Sequence, residues 1–256
     1  MPPVALHHRV HGPTGAPTVV LGGSLGSTTR MWDDLVADLS AERRVVAFDL
    51  RGHGSSPTAV GPLEVADLAA DVLALAGMLG LERFDYVGIS LGGAIGQQLA
   101  LDAPDRLDRV VLACTAARFG EPATWVERAA QVRARGLGPL RMPTENRWFT
   151  EAVEAEHPDR VRRTMDDFEG TDPESYAVLC EALGRFDVRH RLGEIGLGER
   201  VLVLGADQDP TCPPPVVREL AEAIPGARTA TVADAAHLAN LCRPAPFAAA
   251  VRGHLS

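Results

Sequence analysis

Short, continuous apolar runs rich in β-branched residues recur along the chain, and longer segments of helical periodicity separate them. TVVLGG (18–23), RVVAFDL (44–50), FDYVGIS (84–90), RVVLACT (109–115) and RVLVLGA (200–206) lack polar–apolar alternation, as strands covered on both faces do. WDDLVADL (32–39), LEVADLAADVLALAGMLGL (63–81), LGGAIGQQLALDAP (91–104), PPVVRELAEAI (214–224) and APFAAAVRGHL (245–255) place apolar residues at helical spacing. A buried strand, a helix and another buried strand in succession require a crossover. The pattern therefore predicts an α/β fold, a mostly parallel central sheet flanked by helices. The alternation lapses over 118–190, a helix-rich stretch that holds Trp125 and Trp148, two of the three tryptophans. We read it as a helical insertion, a cap, in a core formed by 1–117 and 191–256.

Composition narrows the function classes. A chain of 256 residues can bury a sizeable single core. Its formal charge of −9 disfavours nucleic acid or an anionic membrane surface as a partner, and obliges any anionic substrate to find a local cation. No apolar run approaches the roughly 18 residues that span a membrane. MPPVALHHRV has no basic and then apolar leader pattern, and the four cysteines (Cys114, Cys180, Cys212, Cys242) form no Cys-X-X-Cys pair. Reduced thiols and a cytoplasmic location are the expectation. Oligomeric state has no signature in the sequence.

The chemistry centres on Gly88-Ile-Ser90-Leu-Gly92. Five residues with two glycines are weak by themselves, but here a strand precedes them and a helix follows. A sharp strand-to-helix turn lifts a serine hydroxyl out of the sheet, and flanking glycines let the backbone close without a Cβ clash. A serine nucleophile needs a base, and the base needs an orienting carboxylate, in the chain order Ser, acid, His for this architecture. After RVLVLGA, DQDPTCPP offers Asp207 and Asp209 at the C-terminal end of a strand. Asp209 is favoured because Pro210 fixes the turn behind it. DAAHLAN then places His237 in a loop. His53, in RGHGSS, precedes Ser90 and is read as structural; His157, His190 and His254 are read as surface residues. His7, His8 and His11 are read as strand or turn residues rather than a metal cluster. Oxyanion donors are expected from the main-chain N–H of Leu91 and from the LGGSLG turn, at Ser24 with Leu25 as the alternative. That turn lacks the lysine and the spacing of a phosphate cradle.

With DLRGHGSS (49–56) and VGISLGG (87–93), the chain resembles the α/β-hydrolase superfamily over almost its whole length. GSLGSTTRMWDDL, ACTAARFG, NRWFTEAVEAEHPDRV and DAAHLAN are similar, more closely, to the 3-oxoadipate enol-lactonases of the β-ketoadipate pathway. The resemblance implies a cytosolic lactone hydrolase, free of cofactors, with a helical cap over its site. It matches Ser90 to the nucleophile, His237 to the base and Asp209 to the acid. An enol-lactone with an acetate arm is a small anion, so the cap should supply a cation and an apolar wall. Arg118, Arg133 and Arg147 are candidate cations, with Trp125 and Trp148 as walls, although a single arginine is more often solvated. A carboxylesterase, another lactonase or a perhydrolase would use the same residues, and a catalytically inert binding module would keep the pocket alone.

Overall fold

The computed structural model describes residues 1–256. Its strands are β1 (His8–His11), β2 (Thr18–Gly22), β3 (Arg44–Phe48), β4 (Phe84–Ile89), β5 (Leu107–Ala113), β6 (Val201–Ala206) and β7 (Arg228–Val232). The helices of the core are α1 (Asp33–Leu39), α2 (Val65–Met78) and α3 (Leu91–Asp102). Between β5 and β6 come α4 (Pro122–Arg135), α5 (Arg141–Trp148), α6 (Glu151–Glu156), α7 (Pro158–Glu169) and α8 (Pro173–Arg185). The chain ends with α9 (Pro214–Ala223), α10 (Ala239–Cys242) and α11 (Pro244–Leu255). No helix is long and apolar enough to cross a membrane.

The seven strands form one sheet in the order β1-β3-β2-β4-β5-β6-β7, parallel throughout except where β1 pairs antiparallel with β3 at its edge. The expected α/β architecture is the observed one. Every residue of β2, β4 and β6 is buried, because helices cover both faces. α1 packs against α11, and α2 against α3, to make those coverings. From β2 the chain moves outward to β3, then returns to place β4 on the other side of β2. This reversal opens a crevice at the C-terminal ends of β2 and β4, where ligands settle in open α/β sheets. Gly22 and Gly88 are register partners across it.

The stretch from 118 to 190 is occupied by α4 to α8. The chain leaves the sheet at Arg118 and returns at Asp187, and these two residues form an isolated antiparallel bridge. α4 and α8 pack along one another, and the helices sit over the C-terminal end of the sheet through their contacts with the crevice. All four cysteines are free and buried.

Candidate active site

Ser90 stands between the last residue of β4 and the first of α3, with φ 58° and ψ −116°. A non-glycine residue avoids this region unless its surroundings hold it there. They do: its N–H donates to the Ala113 carbonyl at 2.9 Å, and its own carbonyl accepts from the Thr115 hydroxyl at 2.9 Å. The flanking glycines have separate reasons. A Cβ at Gly88 would lie 2.1 Å from the Gly92 carbonyl oxygen, and one at Gly92 would lie 2.1 Å from that of Gly22. Side chains at either position would push α3 off the sheet and spoil the turn.

Ser90 Oγ lies 2.9 Å from His237 Nε2, and His237 Nδ1 lies 2.8 Å from Asp209 Oδ2. All three residues are buried. A carboxylate can only accept, so Nδ1 carries the proton and Nε2 is left to accept from the serine hydroxyl. The other Asp209 oxygen accepts from the N–H groups of Thr211 (2.8 Å) and Cys212 (3.0 Å). Burial would raise the Asp209 carboxyl; the opposing pull of His237 and these two amides is stronger and holds it below the usual range. Asp207 is elsewhere: it is exposed, and its carboxylate accepts from the Ala235 N–H at 3.2 Å. It props the loop that carries His237. Asp209, Cys212 and His237 bring donor atoms within 4.8 Å of one another. However, Asp209 and His237 are engaged with each other, the second Asp209 oxygen is taken by the Thr211 and Cys212 amides, and His237 Nε2 faces Ser90.

Leu91 is the first residue of α3, so its N–H is among those with no partner inside the helix. The N–H groups of Ser24 and Leu25, just past the end of β2, have no acceptor within the protein, and both residues line the same cavity as Ser90. Their turn is held from behind. The Gly26 N–H donates to His53 Nε2 at 2.8 Å, and Asp49 accepts from the Thr29 N–H at 2.6 Å. His53 Nδ1 in turn donates to the Arg51 carbonyl at 2.9 Å. Burial lowers the His53 imidazole to about 4, so it stays neutral and keeps this acceptor. His53 has the structural place expected of it. His254 does not have the solvated one: it is buried, with Nε2 3.0 Å from the Arg200 carbonyl.

The cavity above Ser90 measures about 260 Å³. Trp125 and Trp148 line it, as walls supplied by α4 and α5. The Trp125 indole N–H is fixed by the Phe119 carbonyl at 2.6 Å, and Trp148 packs edge-on to Phe168. Of the candidate cations, Arg147 lines the cavity and the other two do not. Arg133 is exposed on the outer side of α4, bidentate to Glu174 at 2.8–3.1 Å and bonded also to Glu181. The reason is helical: Arg133 is five residues past Arg128, a rotation of about 140° from the cavity face. Arg118 pairs with Glu121 at 3.0 Å and faces a neighbouring cleft.

Arg128 is the residue that sequence reasoning missed. It follows Trp125 by three positions on α4, so both side chains reach the same cavity. Its guanidinium lies 5.6 Å from the Tyr176 ring centroid and 6.0 Å from that of Trp125, and it donates to the Tyr176 hydroxyl (2.7 and 3.0 Å) and to Thr144. Arg147 donates to the Pro143 carbonyl at 2.8 Å. Neither arginine hydrogen-bonds a carboxylate. Burial and then the Arg128 charge lower Arg147 below its ordinary range. Two cations thus line the cavity without a carboxylate hydrogen-bonded to either. A Trp–Arg pair at helical spacing was the available signal; helix phase alone could not choose it over Arg133.

The sheet order, the strained serine turn and the Ser–His–Asp geometry define an α/β-hydrolase. The sequence profile of the alpha/beta hydrolase fold family matches residues 17–244, and the chain belongs to that family. Within it, the chain is similar to 3-oxoadipate enol-lactonase 2 of Acinetobacter baylyi, 37% identical over 97% of this chain and 92% of the relative. The crystal structure of the enol-lactonase from Burkholderia xenovorans LB400 superposes with a TM-score of 0.94 at 39% identity, covering 98% and 96% of the two chains. A protein of Agrobacterium fabrum assigned to carbamate hydrolysis, RutD, is 32% identical over 94% of this chain and 95% of its own.

Proposed function

We propose that this protein is a cytoplasmic serine hydrolase that opens a small anionic enol-lactone, 3-oxoadipate enol-lactone, to 3-oxoadipate in aromatic-compound catabolism. The observation that carries the reading is the cavity itself, with a nucleophile and base at its floor and two arginines without an acidic partner on its wall. The similarity to 3-oxoadipate enol-lactonases supports the choice of lactone. In the reaction, Ser90 Oγ attacks the lactone carbonyl carbon while His237 Nε2 takes the hydroxyl proton. The N–H groups of Leu91 and of the Ser24–Leu25 turn stabilise the tetrahedral oxyanion. Collapse breaks the ring C–O bond, His237 returns the proton to the enol oxygen, and an acyl-enzyme remains. Water, deprotonated by His237, then attacks the acyl carbon and releases the acid and Ser90. Asp209 keeps the imidazole in its working tautomer and stabilises the imidazolium. Tautomerisation of the freed enol to the ketone draws the reaction forward.

Loss of enol-lactone absorbance at steady state tests this. Ser90→Ala should lower kcat by at least about 10³-fold, and unchanged turnover would sink the nucleophile assignment. The likeness to RutD supports a second reading, hydrolysis of a carbamate at the same triad. Comparing kcat/KM for the enol-lactone, a carbamate and a neutral aryl ester separates the two; preference for the carbamate would displace the lactone.

A further inference from the structure

Three helices of the insertion bring a polar group to one part of the cavity lining: Arg128 from α4, Thr144 from α5 and Tyr176 from α8. Arg128 donates through Nε and Nη2 to the Tyr176 hydroxyl oxygen at 3.0 and 2.7 Å, and through Nη2 to the Thr144 hydroxyl oxygen at 3.2 Å. A guanidinium only donates, so both hydroxyl groups are acceptors in these bonds. Neither of their own O–H protons has an acceptor in the protein, nor do the N–H groups on Arg128 Nη1.

Tyr176 and Thr144 are each 2% exposed. A buried donor left without an acceptor costs about 1–3 kcal/mol, and protein interiors contain few of them. Here two stand together around one cation. Accepting from a guanidinium polarises a hydroxyl and strengthens it as a donor. Burial pushes the Tyr176 phenol upward and outweighs the opposing pull of Arg128, so the proton stays on. The acceptor that suits this cluster is a carboxylate. Its two oxygens offer about four lone-pair sites and a charge opposite to that of Arg128, and a neutral carbonyl offers fewer sites and no charge.

The Tyr176 hydroxyl is also fixed relative to the reacting end. Its ring packs edge-on to Phe168, with centroids 5.7 Å apart, and both rings lie against Gly26 of the Ser24–Leu25 turn. A Cβ at Gly26, where φ is +88°, would come 2.6 Å from Phe168 Cδ2 and 3.3 Å from Tyr176 Cε2. Ring and turn are in contact, so the separation between the hydroxyl and that turn has little room to vary.

We propose that the Tyr176 and Thr144 hydroxyls are specificity-determining groups that donate to a carboxylate of the substrate, with Arg128 behind them as their common charge. Because Tyr176 is packed on the Ser24–Leu25 turn, the protein selects acyl compounds whose carboxylate lies at a set reach from the carbonyl that Ser90 attacks. The inference deepens the anionic-substrate reading above and rests on it for the hydrolase chemistry, not for the identity of the lactone.

Two aryl esters with one acyl chain test it: mono-p-nitrophenyl adipate, which ends in a carboxylate, and its methyl ester, which does not. The quantity read is the ratio of kcat/KM, acid over methyl ester. Tyr176→Phe keeps the ring on Phe168 and Gly26 and should lower that ratio about tenfold or more, the range of a hydrogen bond to a charged group. Thr144→Val should lower it in the same direction, and Thr144→Ser, which restores a hydroxyl, should recover most of it. A ratio that either Tyr176→Phe or Thr144→Val leaves unmoved overturns the inference, as do losses of equal size on both esters, the mark of a packing role. Enol-lactone turnover with an unmoved ratio would strike this inference and leave the lactone reading; a lowered ratio without enol-lactone turnover would do the reverse. If neither aryl ester is cleaved, the hydrolase reading fails and calorimetric binding of adipate replaces the ratio. Affinity weakened about tenfold by Tyr176→Phe then supports the site, and unchanged affinity overturns it.

Discussion

Ser90 occupies a backbone conformation that costs on the order of 1–3 kcal/mol for a residue with a side chain. The cost is offset by the surrounding ladder and by glycines at 88 and 92, where the carbonyls of Gly92 and Gly22 leave no room for a methyl group. The two aspartates of DQDP divide along equally local lines. Asp209 aims one oxygen at His237 and spends the other on the amides of its own turn, whereas Asp207 bonds the Ala235 N–H and faces solvent. Asp209→Asn should therefore lower kcat by about 10³–10⁴-fold through the wrong imidazole tautomer, with Asp207→Asn within about threefold of the unaltered protein. Steady-state kinetics of the two variants side by side distinguish them. Equal losses would mean that the loop, rather than the Asp209–His237 hydrogen bond, carries the effect.

At the scale of elements, α4 and α5 do more than cover the crevice. α4 turns Trp125 and Arg128 inward and Arg133 outward, and α5 ends with Arg147 and Trp148 at the cavity. The end of α5 also grips the base loop: the Arg147 and Trp148 carbonyls accept from the N–H groups of His237 and Leu238, each at 3.2 Å. The residues that line the cavity and the histidine hydrogen-bonded to Ser90 are thus held by one another. Arg128→Gln or Arg147→Gln should raise KM for an anionic lactone about 10–100-fold, the range of a hydrogen bond to a charged group. Their kcat/KM on a neutral ester of similar size should change by less than about threefold. Equal losses on both substrates would show that the arginines act on the fold and not on the anion.

Across the whole molecule, His53 links protonation to stability because it is fully enclosed behind the Ser24–Leu25 turn. Its folded value of about 4 lies below the ordinary 6.5, so between these limits the unfolded chain binds a proton that the folded chain refuses. Stability must fall as pH drops through that window, by roughly 3 kcal/mol in full from this residue. Urea unfolding midpoints at pH 7, 5.5 and 4.5 should follow that decline, and His53→Gln, which retains an acceptor for the Gly26 N–H, should flatten it. A slope that His53→Gln leaves untouched would assign the decline to other groups.

The division between what was legible in the chain and what was not follows the range of the interactions involved. Strands buried on both faces, helices between them and a strand-to-helix turn with obligatory glycines are local patterns, governed by sterics and burial within a few residues. The α/β architecture and the candidacy of Ser90, His237 and Asp209 could therefore be read directly, down to the Pro210 turn that favoured Asp209 over Asp207. The cap was harder, because a helix face has meaning only against its neighbour. Trp125, Arg128 and Arg133 look alike in sequence, and it is the packing of α4 on α8 that sends the last to Glu174 and Glu181 and brings the first two over Ser90. His254 misled for the same reason, since the charged residues near it in sequence are not those around it in space. The sequence by itself determined the class of fold and the set of candidate reacting groups; which charges line the cavity, and which close on one another, only the tertiary structure decided, because those contacts join segments far apart in the chain.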